Sequence, residues 1–184
     1  MIISVEEAKR EISDFKGWSD SKIERKLKAI EQAIRSHTHN NFQNRDYRRT
    51  ADIVGGSFYV EALTPFEVGD TVQVSESGLN KGLFTVVTVD DSFFTVREAV
   101  KDEKDVLVTK VEYPADVIDC AFDILEWELE GKENAVKKGI QSESKTLSRH
   151  SKSVTYVQQT ADNTIKGYPK SLFSGLSSYM KARF

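Results

Sequence analysis

The segment PADVIDCAFDILEWELEG, residues 114–131, decides how the rest of the chain must fold. A surface helix buries one apolar stripe, so a helix with a wider apolar face needs several packing partners. Pro114, Asp116 in the first turn and Gly131 as a stop predict a central helix that ends at the glycine. Its apolar residues fill two adjacent stripes at helical spacing: Val117, Ala121 and Ile124 on one, and Ile118, Phe122, Leu125 and Leu129 on the other.

Two further helices are predicted before this segment. The pairs Ser4/Glu7 and Ser21/Glu24 have the spacing of capping boxes, which mark helix starts. The first helix is expected to end at Gly17. The second is expected to start within residues 19–21 and to fade between residues 37 and 41. The first 40 residues therefore predict a helical hairpin with a short turn. The two apolar faces are Val5, Ala8, Ile12 and Phe15, then Ile23, Leu27, Ile30 and Ile34.

A β-rich module is predicted between the second helix and the central helix. From about Ile53 the apolar residues alternate with a period of two, and turn signals at residues 69–70, 79–82 and 90–92 separate five short strands. The polar, arginine-rich residues 42–50 are interpreted as a connector or a short strand. This pattern predicts a small antiparallel barrel or sandwich, SH3-like or OB-like, at residues 51–113.

The chain turns polar after the central helix. Residues 132–152 hold six Lys/Arg and two Asp/Glu without a strong period, so they fit either two more helical turns followed by a loop, or an arm. A last helix, capped by Ser171, is predicted near the end. The predicted fold is α+β: a small helical bundle of residues 1–50 and 114–184, made of the hairpin, central and C-terminal helices. The β-barrel-like module is inserted at residues 51–113.

Composition limits the classes of function. The chain has 184 residues, 26 Lys/Arg, 29 Asp/Glu and a formal net charge of −3, which disfavours binding of nucleic-acid backbone over the whole surface. No apolar run approaches the roughly 20 residues that cross a membrane, and the first ten residues do not look like a secretory signal. The single cysteine, Cys120, lies in the apolar helix and is predicted to be a core residue in a reducing cytosol.

We expect no enzymatic function, cofactor or metal site. No nucleophile–base arrangement or phosphate-binding loop is present in the sequence. His37 and His39 are two residues apart, so on a helix they point to different sides and cannot chelate a metal together. Glu126, Glu128 and Glu130 diverge for the same reason, and we interpret them as a polar seam of the central helix rather than as catalytic carboxylates.

Two groups of residues suggest nucleic-acid or partner binding. Arg45, Arg48 and Arg49 are candidates for contact with phosphate or an acidic partner, although a solvated connector fits equally well. The alternative function is nucleic-acid binding through the β-module, in which exposed aromatic rings stack on bases. Alternation with valine favours a core position for these rings. The aromatic residues concerned are Phe58, Tyr59, Phe84, Phe93 and Phe94.

Several stretches together resemble one family. They are EEAKREISDF and SDSKIERKLKAIEQAIRSHTHNNF at the start, Ala121 and Leu125 in the central helix, ESKTLSRHSKSVTY, and GYPKSLFSGLSSYMKARF at the end. In these stretches the chain resembles the head–tail connector proteins, also called head completion or adaptor proteins, of tailed bacteriophages and Gram-positive prophages. The most specific parts are the Ser-x-Thr-Tyr motif ending at Tyr156 and the two ends of the last stretch. The resemblance covers residues 1–48 and 114–184, whereas the β-module is an insertion that minimal members lack.

The resemblance implies a structural virion protein that forms an oligomeric ring of about a dozen copies beneath the portal protein. Such a ring extends the DNA channel without binding DNA specifically and carries the next tail-side connector protein. Its location would be the head–tail interface of the virion, after assembly in the host bacterial cytoplasm and without a membrane. The resemblance also implies that the loop 141–157 and the helix 171–183 reach a neighbouring subunit or the portal. The candidate contacts are Tyr156, Tyr168, Pro169, Lys170, Phe173, Tyr179, Arg183 and Phe184.

Overall fold

The computed structural model describes residues 1–61, 65–138, 140–146, 151–156 and 164–182, with side chains outside 131–156. The fold is α+β, with helices and a closed six-stranded antiparallel barrel. The chain forms two compact units. One unit holds Met1 and Asn40–Pro114, and the other holds Ile2–His39 and Ala115–Phe184. The β-rich unit thus begins at Asn40, before the boundary expected at residue 51.

The first helix, α1, spans Val5–Glu11 and begins at the predicted capping box. The backbone N–H of Glu7 donates to Ser4 Oγ at 3.1 Å, and the backbone N–H of Ser4 donates to Glu7 Oε2 at 2.7 Å. These bonds satisfy N–H groups that lack partners inside the helix. The helix stops earlier than predicted, because Ile12 takes extended backbone angles well before Gly17.

The second helix, α2, spans Asp20–Thr38. Its cap is Ser19, whose Oγ accepts from the backbone N–H of Lys22 at 3.4 Å. The predicted start within residues 19–21 is confirmed, but the capping box at Ser21 was wrong, because that residue already lies inside the helix. His39 ends the helix in the left-handed region, with φ of 50°. The predicted apolar face is buried: Ile23, Leu27, Ile30 and Ile34.

The third helix, α3, spans Ala115–Lys138 and continues through Gly131. The predicted stop at this glycine was wrong. A glycine ends a helix where it takes left-handed backbone angles, and inside a helix it costs only about 1 kcal/mol relative to alanine. Of the two alternatives for the polar segment that follows, the helical extension therefore applies as far as Lys138. The buried side chains of α3 are Val117, Cys120, Ala121, Ile124, Leu125 and Leu129.

A two-stranded antiparallel ribbon follows α3. Its strands are β7 (Ile140–Thr146) and β8 (Ser151–Tyr156), paired from Ile140 opposite Tyr156 to Thr146 opposite Ser151. Much of the segment expected to be a loop at 141–157 is therefore strand. Among the described residues these two strands pair only with each other, so each keeps one edge without a neighbouring strand.

The last helix is a 3-10 helix, not the α-helix predicted. A short hairpin of β9 (Thr164–Ile165) and β10 (Tyr168–Pro169) precedes it, and the 3-10 helix spans Lys170–Tyr179. Pro169 occupies the cap position without a side-chain hydrogen bond, so the predicted cap at Ser171 was also wrong. Isolated 3-10 helices of this length are uncommon, and the packing of its buried Phe173 and Leu176 stabilises this one.

Helices of this unit contact one another through both apolar and polar groups. The helix α1 contacts α2, and α3 contacts both α2 and the 3-10 helix. Lys26 Nζ of α2 lies 2.9 Å from Glu128 Oε2 of α3. The thiol of Cys120 donates to the carbonyl oxygen of Leu172 at 3.2 Å. The first bond holds α3 against α2, and the second holds it against the 3-10 helix.

The β-unit is a closed barrel with strand order β1-β2-β5-β4-β3-β6. Its strands are β1 (Gln43–Val54), β2 (Ser57–Val60), β3 (Thr71–Ser75), β4 (Gly82–Val89), β5 (Phe93–Val96) and β6 (Glu103–Val111). The pairing of β6 with β1 closes the barrel, and every neighbouring pair is antiparallel. The sequence predicted five strands, because the polar residues 42–50 hid the first half of β1.

Inward-facing apolar side chains fill the barrel. Phe94 is at the centre, with its ring stacked 4.9 Å from Phe58 and edge-on to Phe66 at the same centroid distance. The outward residues alternate with them, as the sequence pattern predicted, and most are polar or half-buried. The exposed apolar exceptions are Val54, Tyr59, Val87 and Val89. The buried core consists of Ala51, Ile53, Phe58, Val60, Phe66, Val72, Val74, Phe84, Val86, Phe94, Val106 and Val108.

Candidate functional site

Two of the candidate interface aromatics pack inside their own unit. Tyr168 is 7% exposed and Phe173 is 2% exposed. The Tyr168 ring meets the Trp127 ring edge-on at a centroid distance of 5.7 Å, and the Phe173 ring meets the His37 ring at 5.2 Å. These rings attach the C-terminal elements to α2 and α3, so neither faces a partner in this conformation.

The buried titratable groups around them are held in their protonated forms. Burial, and then the charge and hydrogen bond of Glu128, raise the pKa of Tyr168 to about 12. Burial, and then the charge of Asp123, raise the pKa of Cys120 to about 11. A thiol in this state is a poor nucleophile at neutral pH, because the thiolate is the reactive form. The Tyr168 ring packs on Trp127 and the Cys120 thiol donates to Leu172, so both groups hold the C-terminal elements against α3.

The remaining C-terminal candidates lie at the surface of the unit. Lys170 is exposed, and Pro169 and Tyr179 are half-buried. The hydroxyl of Tyr179 donates to Asp116 Oδ2 at 3.1 Å, and this bond is the main cause that raises the pKa of the tyrosine. Tyr156 lies on β8, and its side chain falls outside the described residues. Arg183 and Phe184 also fall outside them.

The chain leaves the 3-10 helix in an extended conformation. Met180 has φ of −68° and ψ of 127°, and its side chain is 49% exposed. The next residue is fixed through its backbone, because the N–H of Lys181 donates to the carbonyl oxygen of Thr38 at 2.8 Å. The side chains of Lys181 and Ala182 are exposed. The end of the described chain therefore presents an apolar and a basic side chain to solvent.

The three arginine candidates lie where β1 bulges. The register of β1 against β6 shifts between Asn44 and Arg48, and Arg45 is exposed within that bulge. Arg48 Nε donates to Thr109 Oγ1 at 3.2 Å, and Arg49 Nη1 donates to the carbonyl oxygen of Arg48 at 2.8 Å. Two of the three guanidinium groups thus use some of their N–H donors in hydrogen bonds within the barrel unit.

The aromatic residues considered for base stacking divide into two sets. Phe58, Phe84 and Phe94 are buried in the barrel core. Tyr59 is 46% exposed, and its ring lies 5.5 Å from the half-buried Phe93 on the outer surface. A shallow depression beside Tyr59 is lined by basic and acidic groups together: Arg48, Arg49, Asp52, Glu61 and Asp105. Its mixed charge fits a protein surface as well as a phosphate backbone.

No protein-family model matches this chain, and no curated protein matches it. In the part of the chain that the structure describes, no group of three or more His, Cys, Asp and Glu side chains is arranged to hold a metal ion. Over those same residues, no helix combines the length and apolar character needed to cross a membrane. We therefore argue the function of this chain from the contacts and charges within each of its two units.

Sequence reasoning missed a groove in the helical unit. It lies between α1 and α3, and Ile118 and Phe122 of α3 line it together with the carboxylates Asp119 and Glu126. Glu128 pairs with Lys26 and does not line the groove, so Glu126 and Glu128 diverge around α3, as their spacing of two predicted. The sequence did contain one indication of the groove, which is a series of acidic residues three or four positions apart on α3. Like charges at this spacing lower the stability of a helix, so their presence suggests a function. The exposed acidic residues at this spacing are Asp116, Asp119, Asp123 and Glu126.

Proposed function

We propose that this chain is a structural subunit of a phage head–tail connector, which forms a ring at the portal vertex and extends the DNA channel. In this proposal α1, α2, α3 and the 3-10 helix form a helical bundle that makes the ring wall. The portal protein, the next tail-side connector protein and further copies of the chain are its partners. DNA passes through the ring without specific binding, which agrees with a net charge of −3.

The observation that carries the proposal is the position of the Ser-x-Thr-Tyr motif. Ser153, Thr155 and Tyr156 lie on β8, which pairs with β7 on one edge and with no described strand on the other. An open strand edge presents backbone N–H and C=O groups that another chain can pair with. A two-stranded ribbon is marginally stable alone, so a strand from a neighbouring subunit would stabilise it.

The inserted barrel has a second role in this proposal. It is a closed, well-packed module without open edges between its strands, so it adds a rigid surface rather than a further pairing edge. The exposed Tyr59 and the half-buried Phe93, with charged groups beside them, are suited to contact a neighbouring subunit or a capsid protein. We place the module as a projection from the ring.

Electron microscopy of negatively stained protein tests the ring directly. The purified chain is imaged alone and after mixing with portal protein, and rings are expected at least in the mixture. A variant with Thr155→Pro removes a backbone donor from β8 and is expected to prevent ring formation, whereas Thr155→Ala keeps the donor and should form rings. A wild-type chain that stays monomeric and ignores the portal would overturn the proposal.

A second candidate function is nucleic-acid binding by the barrel. The exposed Tyr59 ring and the guanidinium groups of Arg48 and Arg49 line one depression. Proteins bind single-stranded nucleic acids with such a combination of aromatic rings and positive charge. The burial of Phe58, Phe84 and Phe94 leaves few rings for stacking, so this candidate ranks second. A gel-shift titration with short single-stranded and double-stranded DNA decides it. Absence of a shift at low salt removes this function.

A further inference from the structure

The groove between α1 and α3 leaves part of α3 uncovered. Of the two apolar stripes of this helix, the first is fully buried, whereas Ile118 and Phe122 of the second are only half-buried. They line a groove of about 470 Å³ together with the half-buried Ile12. An uncovered apolar strip inside a concave surface is typical of a binding site for another chain.

The rim of this groove is acidic. Glu7, Glu11, Asp119 and Glu126 lie around it, against a single basic residue, Arg10. Arg10 pairs with Glu11 at 3.3 Å, whereas Asp119 and Glu126 have no ion-pair partner among the described residues. The groove therefore favours a ligand that combines apolar side chains with positive charge.

The chain itself carries a segment of this chemistry. Residues 180–184 read Met-Lys-Ala-Arg-Phe, so apolar and basic residues alternate. The segment starts in an extended conformation, in which successive side chains point to opposite sides. We infer that residues 180–184 of one copy bind in the groove between α1 and α3 of a second copy. Met180 and Phe184 would contact Phe122, and the two basic side chains would meet the acidic rim.

Positions on α3 explain why the occupant is a second copy rather than the same chain. Tyr179 and Leu172 of the 3-10 helix bond to Asp116 and Cys120, which lie one turn apart on one face of α3. Phe122 follows Cys120 by two residues, or roughly 200° of helical rotation, and so lies on nearly the opposite face. The start of the tail is also held at α2, because the N–H of Lys181 donates to the carbonyl oxygen of Thr38, whereas the groove lies between α1 and α3.

A contact between two different surfaces of identical subunits is head-to-tail. Such contacts generate a closed ring when the rotation between subunits closes, and an open filament when it does not. The inference deepens the proposed function and rests on it, because it names one contact between neighbouring subunits of the ring. It also gives a role to Asp119 and Glu126, two of the exposed acidic residues of α3 whose like charges are otherwise unfavourable.

A peptide-binding experiment tests the groove without requiring ring assembly. A fluorescent peptide of residues 178–184 is titrated with the full-length chain, and fluorescence anisotropy is followed at two salt concentrations. We expect binding that weakens with salt, and a loss of at least about tenfold in affinity for the chain with Asp119→Lys and Glu126→Lys. A peptide with K181E and R183E should bind this reversed chain better than the wild-type peptide does.

Further controls separate the possible failures. The titration is made at a concentration at which the wild-type chain is monomeric by size-exclusion chromatography. Equal binding to the D119K/E126K chain, or no binding to either the wild-type chain or a full-length chain with K181E and R183E, overturns the inference. If the K181E/R183E chain binds the peptide and the monomeric wild-type chain does not, the groove is filled in cis and the second copy is excluded. Rings seen with portal protein, without peptide binding, would overturn the groove contact and leave the proposed function standing.

Discussion

The backbone N–H of Glu112 donates a 2.9 Å hydrogen bond to the carbonyl oxygen of Phe42. The adjacent pair, Gln43 and Val111, is where β1 meets β6. The chain therefore enters and leaves the barrel at neighbouring positions. A module with adjacent ends can be inserted into a loop of another domain, because the two ends of the interrupted loop then stay close together.

Residues 40–114 are expected to fold when they are expressed alone. The barrel is closed by the pairing of β1 with β6 and has its own apolar core, so its stability does not need the helices. The measurement is far-ultraviolet circular dichroism with urea denaturation, which should give a β-rich spectrum and one cooperative transition. The spectrum of an unfolded chain would contradict the prediction.

Truncation of Phe94 is expected to destabilise the barrel strongly. Its side chain is fully buried and contacts the Phe58 and Phe66 rings, so Phe94→Ala removes a large apolar group and leaves a cavity. A change of this kind costs about 3–5 kcal/mol in the free energy of unfolding. Urea denaturation of the wild-type and variant barrel measures it.

The neighbouring Phe93 is the matched control. It lies on the outer surface, where its ring is tilted against the Tyr59 ring at a centroid distance of 5.5 Å, rather than in the core. Phe93→Ala should therefore cost no more than about 1 kcal/mol in the free energy of unfolding. Equal losses for the two variants would mean that the two rings are not on opposite faces of β5.

Protonation of His37 is expected to weaken the helical unit as the pH falls. Burial, and then the charges of His39 and Lys170, hold the pKa of His37 below its ordinary value of 6.5. The folded state then binds fewer protons than the unfolded state. The stability contribution is fully present above pH 6.5 and is lost as the pH falls through the lower pKa of the folded state.

Nuclear magnetic resonance of the imidazole protons measures this directly. The His37 signal, assigned by its disappearance in His37→Gln, should titrate with a midpoint below 6.5. The same variant should also lose the part of the acid-induced destabilisation that His37 causes. A midpoint above 6.5 would contradict the prediction, because it would mean that folding favours the protonated form of the His37 ring.

The Cys120 thiol is expected to react slowly with a disulfide reagent while the protein is folded. Burial and Asp123 raise its pKa from 9.0 to about 11, so the reactive thiolate is scarce at pH 8. The rate for the native chain should be about a hundredfold lower than for the chain in urea. As the chain has one cysteine, the absorbance of the released thiolate reports this site alone. Equally fast reaction in both states would mean that the thiol is exposed.

Much of the helical architecture could be predicted from local sequence. The capping box at Ser4 and the apolar face of α2 are short-range patterns, and each has the expected geometry. The capping box at Ser21, the stop at Gly131 and the α-helical form of the last helix were wrong. Single-residue preferences of about 1 kcal/mol or less decide such ends, and packing of the surrounding helix outweighs them.

The barrel was predicted in kind but not in its limits. Alternation of apolar residues identified the strands from residue 53 onward, because one face of each is buried. The polar first half of β1 carries no such alternation, and its pairing with β6 is a contact between residues about 60 positions apart. A pairing at that separation depends on closure of the barrel, which no local pattern records.

The sequence by itself determined that α3 has two apolar stripes and must be covered by several partners, since helical spacing alone gives that result. Only the tertiary structure decided which parts of the stripes are covered. Packing buries Val117, Ala121 and Ile124, whereas Ile118 and Phe122 remain half-buried in an acidic groove. The physical reason is that burial depends on the positions of the other helices, which are fixed by contacts distant in sequence.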